Sequence, residues 1–256
     1  MINNDAKSIT KTTEETWVKA QGFEKNTWVL INQRNGILKI LYKFFKALKD
    51  PKQFINYLKF KDFYCGNDWN YWWMDKFENY KYLPKKIKRS LEIGSGPYSN
   101  TRLISKIVDI NDIHCTDPLM ADYRNFDKTY VSEMHKKGKI KTYVGKGEKI
   151  DFPDKYFDLV ICNNVLDHVE DAEKCFSEMY RVLEDGGYLV FGQDLKDLGN
   201  SFHHEDIDVG HPIILHHKTL DGILDANYTT VFKRLLPQDE TRDKKHYSVY
   251  LFIGKK

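Results

Sequence analysis

The chain has 256 residues, 41% hydrophobic and 30% charged, enough apolar material for one α/β domain with an elaboration and too much for a disordered chain. Its 40 basic side chains stand against 37 acidic ones for a net charge of +3; this near-balance lacks the clustered basic excess of nucleic-acid binders, so no nucleic-acid partner is expected. No apolar stretch approaches the roughly 18 residues of a membrane span, and Met1–Thr10 is polar, so neither a span nor a signal peptide is expected.

Residues 1–83 carry all five tryptophans (Trp17, Trp28, Trp69, Trp72 and Trp73), many lysines and few glycines. Ile37–Phe45 sets Lys39 and Lys43 among apolar residues, the pattern of a helix with a narrow polar stripe. Asp50-Pro51 starts a second helix whose apolar face holds Phe54, Ile55, Tyr57 and Leu58. The basic run Pro84–Arg89 reads as a solvated linker. From Ser90 strands alternate with helices: strands near 90–94, 113–117, 140–144, 157–162 and 187–193, helices at about 99–107, 119–136 and 171–183. Such alternation predicts a mostly parallel sheet with helices on both faces. Thr229–Leu236 and Tyr247–Ile253, joined by the polar loop Pro237–His246, predict an antiparallel hairpin at the sheet edge. The expected organisation is a helical, aromatic-rich N-terminal cap over 1–83 and an α/β domain over 84–256. Cys65, Cys115, Cys162 and Cys175 form no C-x-x-C pair. Cys115 and Cys162 lie in apolar strand runs, and all four read as reduced thiols of a cytoplasmic protein.

The chemistry starts at Leu91-Glu-Ile-Gly-Ser-Gly-Pro97, a glycine turn between a short apolar strand and a helix. Gly94 permits the tight turn, and Gly96 lets backbone approach a ligand closely. Alone, this fits an ordinary strand-to-helix turn as well. Two acidic residues narrow it. Asp117 ends the next strand, 25 residues after Glu92, where a carboxylate accepts hydrogen bonds from both ribose hydroxyls of an adenosine. Glu92 would repel a pyrophosphate, and Ser99 replaces the third glycine that a dinucleotide fold puts at the helix start. S-adenosylmethionine carries a cationic ammonium and a sulfonium but no phosphate, so the electrostatics favour it over NAD.

Glu92-x-Gly94-x-Gly96 resembles motif I of the class I S-adenosylmethionine-dependent methyltransferases, and the similarity runs from about Ser90 to Asp194. The resemblance implies a Rossmann-like domain, S-adenosyl-L-methionine as cofactor, S-adenosyl-L-homocysteine as product, and Glu92, Gly94, Ser95 and Gly96 at the cofactor. Asp117-Pro118-Leu119 resembles the end of the family's second strand, implying ribose contact by Asp117 and an adenine stacked on Leu119. Gly145-Lys-Gly147-Glu148 resembles the third-strand loop, with one departure. Lys146 occupies the slot where an Asp commonly meets the adenine amino group, which leaves the backbone of Gly147 and Glu148 for adenine. Phe157–Asn163 and the loop to His168 resemble the fourth strand, with Asn163 at its end, and Arg181–Val190 matches the glycine-rich entry to the fifth. Tyr98 stands where many relatives have a third glycine and would narrow the methionine end of the pocket.

Methyl transfer is an in-line displacement driven largely by orientation of the nucleophile, and an alcohol acceptor gains from a base that removes its proton. After Asp194, which closes the fifth strand, His203, His204, His211, His216 and His217 fall within 15 residues, five of the chain's nine histidines. The stretch at about 197–217 reads as a substrate loop with His203, His204 or His211 as general base. Surface or packing roles remain open beside that reading. No H-x-x-x-H pattern or cysteine supports a metal, and no metal ligand is assigned. His168, where relatives often carry histidine, either transfers a proton or shapes the methionine pocket. Trp69–Met74 reads either as packing between cap and sheet or as an aromatic lid, and substrate choice is expected in 1–83. The sequence is similar in outline to methyltransferases that decorate bacterial surface polysaccharides, at sugar hydroxyls or a capsular phosphoramidate. The leading expectation is O-methylation of a small polar or carbohydrate acceptor. N- or C-methylation of a small metabolite, or a non-catalytic S-adenosylmethionine-binding module, are the alternatives.

Overall fold

The computed structural model describes residues 8–33, 69–195, 209–241 and 248–256. Seven strands, β1 (Lys86–Ile93), β2 (Asp109–Asp117), β3 (Lys141–Val144), β4 (Phe157–Asn163), β5 (Leu183–Leu195), β6 (Thr229–Leu236) and β7 (Ser248–Lys255), form one sheet of order β3-β2-β1-β4-β5-β7-β6. Strands β1 to β5 pair in parallel, and β7 runs antiparallel between β5 and β6. The described helices are α1 (Glu14–Gln33), α2 (Trp69–Lys76), α3 (Thr101–Ile104), α4 (Met120–Tyr123), α5 (Tyr130–Lys136), α6 (Ala172–Val182) and α7 (His217–Asn227).

The central strands are apolar throughout because both faces are covered. In β4, Val160 and Cys162 pack with Phe176 and Met179 of α6 and Leu220 and Leu224 of α7. Leu159 and Ile161 face the other way, against Tyr71, Trp73, Met74 and Phe77 of the α2 region. A third cluster joins Cys115, Met120, Tyr123 and Tyr130 to Trp28 and Val29 of α1. The described cysteines Cys115, Cys162 and Cys175 are buried free thiols.

Several local expectations change. Lys86–Arg89 is not a solvated linker but the first half of β1, since Ile87 is buried beside β2 while Lys86 and Lys88 face solvent. The helix expected over 119–136 divides into α4 and α5. Lys128 takes a left-handed backbone (φ 52), and Thr129 then caps α5 by accepting from Ser132 N at 3.4 Å. Helix α7, which begins where the expected substrate loop ends and is not among the expected helices, lies between β5 and the edge hairpin. The helices expected at 37–45 and after Asp50, together with Cys65, lie outside the described residues.

The N-terminal segment straps across the carboxyl side of the sheet. Ile9 and Ile214 exchange backbone hydrogen bonds of 2.8 and 3.0 Å, Thr12 N donates to Glu170 O at 2.9 Å, and Ala172 N donates to Thr10 O at 2.9 Å. Chain order reverses between the neighbouring strands β1 and β4. Open α/β sheets bind ligands at the crevice such a reversal leaves at the strand ends.

Candidate active site

A cavity of about 500 Å³ occupies that crevice, walled by the loops after β1, β2, β4 and β5 and by α1. Gly94 and Gly96 both have left-handed backbone, φ 62 and 55. A Cβ on Gly94 would stand 2.5 Å from Val165 Cγ2, so both conformation and space demand glycine; beside Gly96 nothing lies within 4 Å. Ser95 N donates to Thr116 O at 3.3 Å, which ties the turn to β2.

Glu92 does not line this cavity, a correction to its expected place at the cofactor. Its carboxylate is buried beneath the turn and accepts five hydrogen bonds: from Ser99 Oγ (2.5 Å), Asn100 N (2.7 Å), Asn100 Nδ2 (3.1 Å), Thr101 N (2.9 Å) and Thr101 Oγ1 (2.6 Å). It holds the glycine loop onto the start of α3, and so reaches any ligand only through that loop.

Asp117 does line the cavity. Its Oδ2 accepts from Gly96 N at 3.0 Å and its Oδ1 from Leu119 N at 2.9 Å, which fixes the carboxylate at the tip of β2. Burial pushes its carboxyl up to about 6, with Glu24 adding to the rise while the two backbone donors and His168 oppose it. Pro118, Leu119, Gly147 and Glu148 border the same space. Glu148 turns its carboxylate to the backbone N–H groups of Glu170 (2.6 Å) and Asp171 (3.2 Å), bracing that loop. Lys146 is not among the cavity's lining residues; it pairs with Glu170 and lies 3.7 Å from the centre of the Trp17 ring.

Asn163, Asn164, His168, Asp194 and His211 line the same cavity from the end of β4 and the loop after it, from β5 and from the segment before α7. Asn163 closes β4, and Asn164 Oδ1 accepts from Asp194 N at 3.0 Å. His168 Nδ1 donates to Gly210 O at 2.7 Å, and its ring lies 4.5 Å from that of His211. Behind them lies Asp167; burial opposes its charge, but His168 and His211 outweigh that and hold the carboxyl below its ordinary value. His216 instead stands at the N-cap position of α7, its backbone N donating to Ser8 Oγ at 3.0 Å, and His217 starts that helix. His203 and His204 lie outside the described residues.

The structure thus brings Gly94, Ser95, Gly96, Asp117, Pro118, Leu119, Gly147, Glu148, Asn163, His168 and His211 to one cavity. Sequence reasoning missed the wall that α1 supplies with Gln21, Glu24 and Trp28. Gln21 Nε2 donates to His168 O at 3.1 Å, Lys25 pairs with Asp122 at 3.0 Å, and Trp28 meets the buried Tyr98 ring at 5.9 Å. Thr13 followed by Glu14-Glu15 is a legible helix start, and Thr13 Oγ1 does accept from Thr16 N at 3.2 Å. Asp167 was missed too, although a carboxylate beside a loop histidine was a visible signal. The tryptophan-rich α2 packs mainly in the core, with Trp73 also reaching the cavity.

Residues 91–191 match a family model described as a methyltransferase domain. The uncharacterized protein MJ1123 of Methanocaldococcus jannaschii is 29% identical over 112 residues, 44% of this chain and 46% of that protein. The ubiquinone/menaquinone biosynthesis C-methyltransferase UbiE of Vibrio vulnificus is 27% identical over 103 residues, 40% of each chain. The chain therefore spans less than half the length of these curated relatives. Among solved structures, phosphoethanolamine N-methyltransferase 2 of Haemonchus contortus in complex with S-adenosyl-L-methionine has a TM-score of 0.56 at 14% identity, covering 75% of this chain and 53% of that one. The fold is that of the S-adenosylmethionine-dependent methyltransferases.

Proposed function

We propose that this chain, which carries a methyltransferase domain of that fold, is an S-adenosylmethionine-dependent methyltransferase that O-methylates a small polar acceptor, a sugar hydroxyl above all. The observation that carries the reading is the single cavity shared by the Gly94–Gly96 turn, Asp117, and the His168–His211 end. In this reading the turn receives the amino-acid part of the cofactor and Asp117 accepts from the ribose hydroxyls. Pro118, Leu119 and the Gly147–Glu148 backbone border adenine, and Asn163 faces the reacting end.

Methyl transfer breaks the sulfonium carbon–sulfur bond, whose electron pair stays on sulfur in S-adenosylhomocysteine. The acceptor oxygen forms the new bond to carbon and loses its proton. His168 and His211 are the residues we assign to activating the acceptor, with Asp167 behind them; His203 and His204 belong to the same proposed substrate loop. Glu24, Asp117, Glu148 and Asp194 line the cavity, and its described lining contains no lysine or arginine. That charge suits a cationic donor with a neutral acceptor, and favours a sugar hydroxyl over an anionic phosphoramidate. Assembly of a surface polysaccharide is the proposed setting, on the strength of the sequence resemblance. The buried free thiols support a cytoplasmic location. Methylation at nitrogen or carbon is the second reading, favoured by the names of the relatives.

Calorimetry with S-adenosylmethionine, S-adenosylhomocysteine and NAD tests the cofactor, and preference for NAD overturns the proposal. A panel of hydroxyl, amine and carbon acceptors then tests the reaction, where transfer to amines alone selects the second reading. His211→Ala is expected to lower turnover by about a hundredfold, within the range for acid–base groups, with cofactor affinity unchanged.

A further inference from the structure

Asp167 and His168, on the short 3-10 turn Leu166–His168, meet His211 from the segment before α7. One nitrogen or oxygen ligand atom from each lies within 4.8 Å of the other two. Neither imidazole reaches the carboxylate at hydrogen-bond distance: His168 Nε2 is 3.8 Å from Asp167 Oδ1, and His211 Nε2 is 3.9 Å from Oδ2. Ligands bound at ~2.0–2.1 Å to one ion stand roughly 3–3.4 Å apart, so a small inward movement closes the set around a cation. Asp167 is buried, and its Oδ1 accepts no hydrogen bond among the described residues. A buried carboxylate oxygen in that state is costly until a cation or a donor meets it. The Nδ1 hydrogen bond of His168 to the Gly210 carbonyl puts the ring's lone pair on Nε2, as in histidines whose second nitrogen is held while the first ligates.

We propose that Asp167, His168 and His211 hold a divalent first-row transition-metal ion at the acceptor end of the cavity. Two imidazoles and one carboxylate, with positions left open toward the cavity, suit zinc or ferrous iron; magnesium and calcium prefer oxygen ligands throughout. There the two histidines would activate the acceptor through the ion and not as free bases: the ion holds the acceptor hydroxyl oxygen and lowers its pKa, and the hydroxyl proton passes to bulk water. This catalytic role rests on the O-methylation reading, whereas binding of the ion does not.

The test is a titration of the full, chelator-stripped chain with Co²⁺, followed by visible absorption and calorimetry, with Zn²⁺ and Mg²⁺ as competitors. One Co²⁺ per chain is expected, displaced by Zn²⁺ and not by Mg²⁺. His211→Ala and Asp167→Asn should each weaken it about tenfold or more, and His135→Ala should leave it unchanged. Thermal melts identify a variant that fails to fold; His211 is 30% exposed at its side chain, so its substitution decides if Asp167→Asn does not fold. No Co²⁺ or Zn²⁺ bound, or binding that His211→Ala leaves intact, overturns the assignment. Calorimetry with S-adenosylmethionine on the same preparations separates the two readings. Cofactor bound without Co²⁺ removes the metal site and keeps the methyltransferase; Co²⁺ bound without cofactor does the reverse.

Discussion

Asp117 is pulled in two directions. Burial and then Glu24 raise its carboxyl to about 6, while the Leu119 and Gly96 N–H groups and His168 favour its charge. Ribose hydroxyls donating to it would favour the charged form further. Cofactor binding should therefore release little proton at neutral pH and up to one proton per site below about 6, where affinity should fall by up to about tenfold per pH unit. Calorimetry in buffers of different ionisation heat reads both effects, and a flat affinity profile would contradict the ribose role. In the free protein the sign is opposite. A carboxyl whose folded pKa exceeds its unfolded value of 3.8 binds its proton more tightly when folded, so its contribution is fullest below about 4 and is lost as pH rises through about 6. Glu92 shows how a charge visible in the sequence finds a different partner. The spacing that placed it near a ligand could not tell whether the side chain turns up to the cavity or down to α3. With five donors on one carboxylate, Glu92→Gln turns an amide N–H₂ toward groups that need an acceptor. A loss of about 2–4 kcal/mol in denaturant unfolding is expected.

Strands β4 and β5 are legible because burial on both faces demands unbroken apolar runs, and β6–β7 because only a polar loop parts them. Helix α1 is less legible. Val18, Phe23 and Leu30 are exposed on it, so its apolar residues do not form one clean stripe, and its functional face covers a cavity rather than a core. Trp28 links that face to the site through Tyr98 and through its indole N–H, which donates to Glu24 at 2.5 Å. Trp28→Ala should weaken S-adenosylmethionine binding by roughly tenfold, the scale of one aromatic contact, while the melting transition moves little. Calorimetry beside a thermal melt checks it; an equal loss of stability would make Trp28 a packing residue instead. Residue types alone also missed the break between α4 and α5, because the left-handed backbone at Lys128 has no glycine to announce it.

Across the molecule, α1, the glycine turn, the loop after β4 and the segment before α7 close on one cavity, so a ligand there bridges parts distant in the chain. Binding to the folded state alone then stabilises the whole. At a hundred times its dissociation constant, S-adenosylmethionine should add about 2.7 kcal/mol. For a chain of this size that raises the melting temperature by about 5–10 °C, with no comparable shift from NAD. A thermal melt over a concentration series measures it, and an unmoved transition would count against a cofactor site in this cavity.

Sequence alone determined the parallel sheet, the edge hairpin, the glycine turn and the acid at the end of β2. Each is written in local terms: apolar runs, turn residues and short spacings whose physics acts within one strand–turn–helix unit. Only the tertiary structure decided that Glu92 faces inward, that α1 walls the cavity, and that Asp167 and His168 meet His211 from a distant part of the chain. The last two relations depend on which surfaces come together once the strands have ordered themselves, and no local pattern encodes a distance between residues more than forty positions apart; for Glu92 the partners stand close in the chain, and what residue types lack is the direction in which the side chain turns.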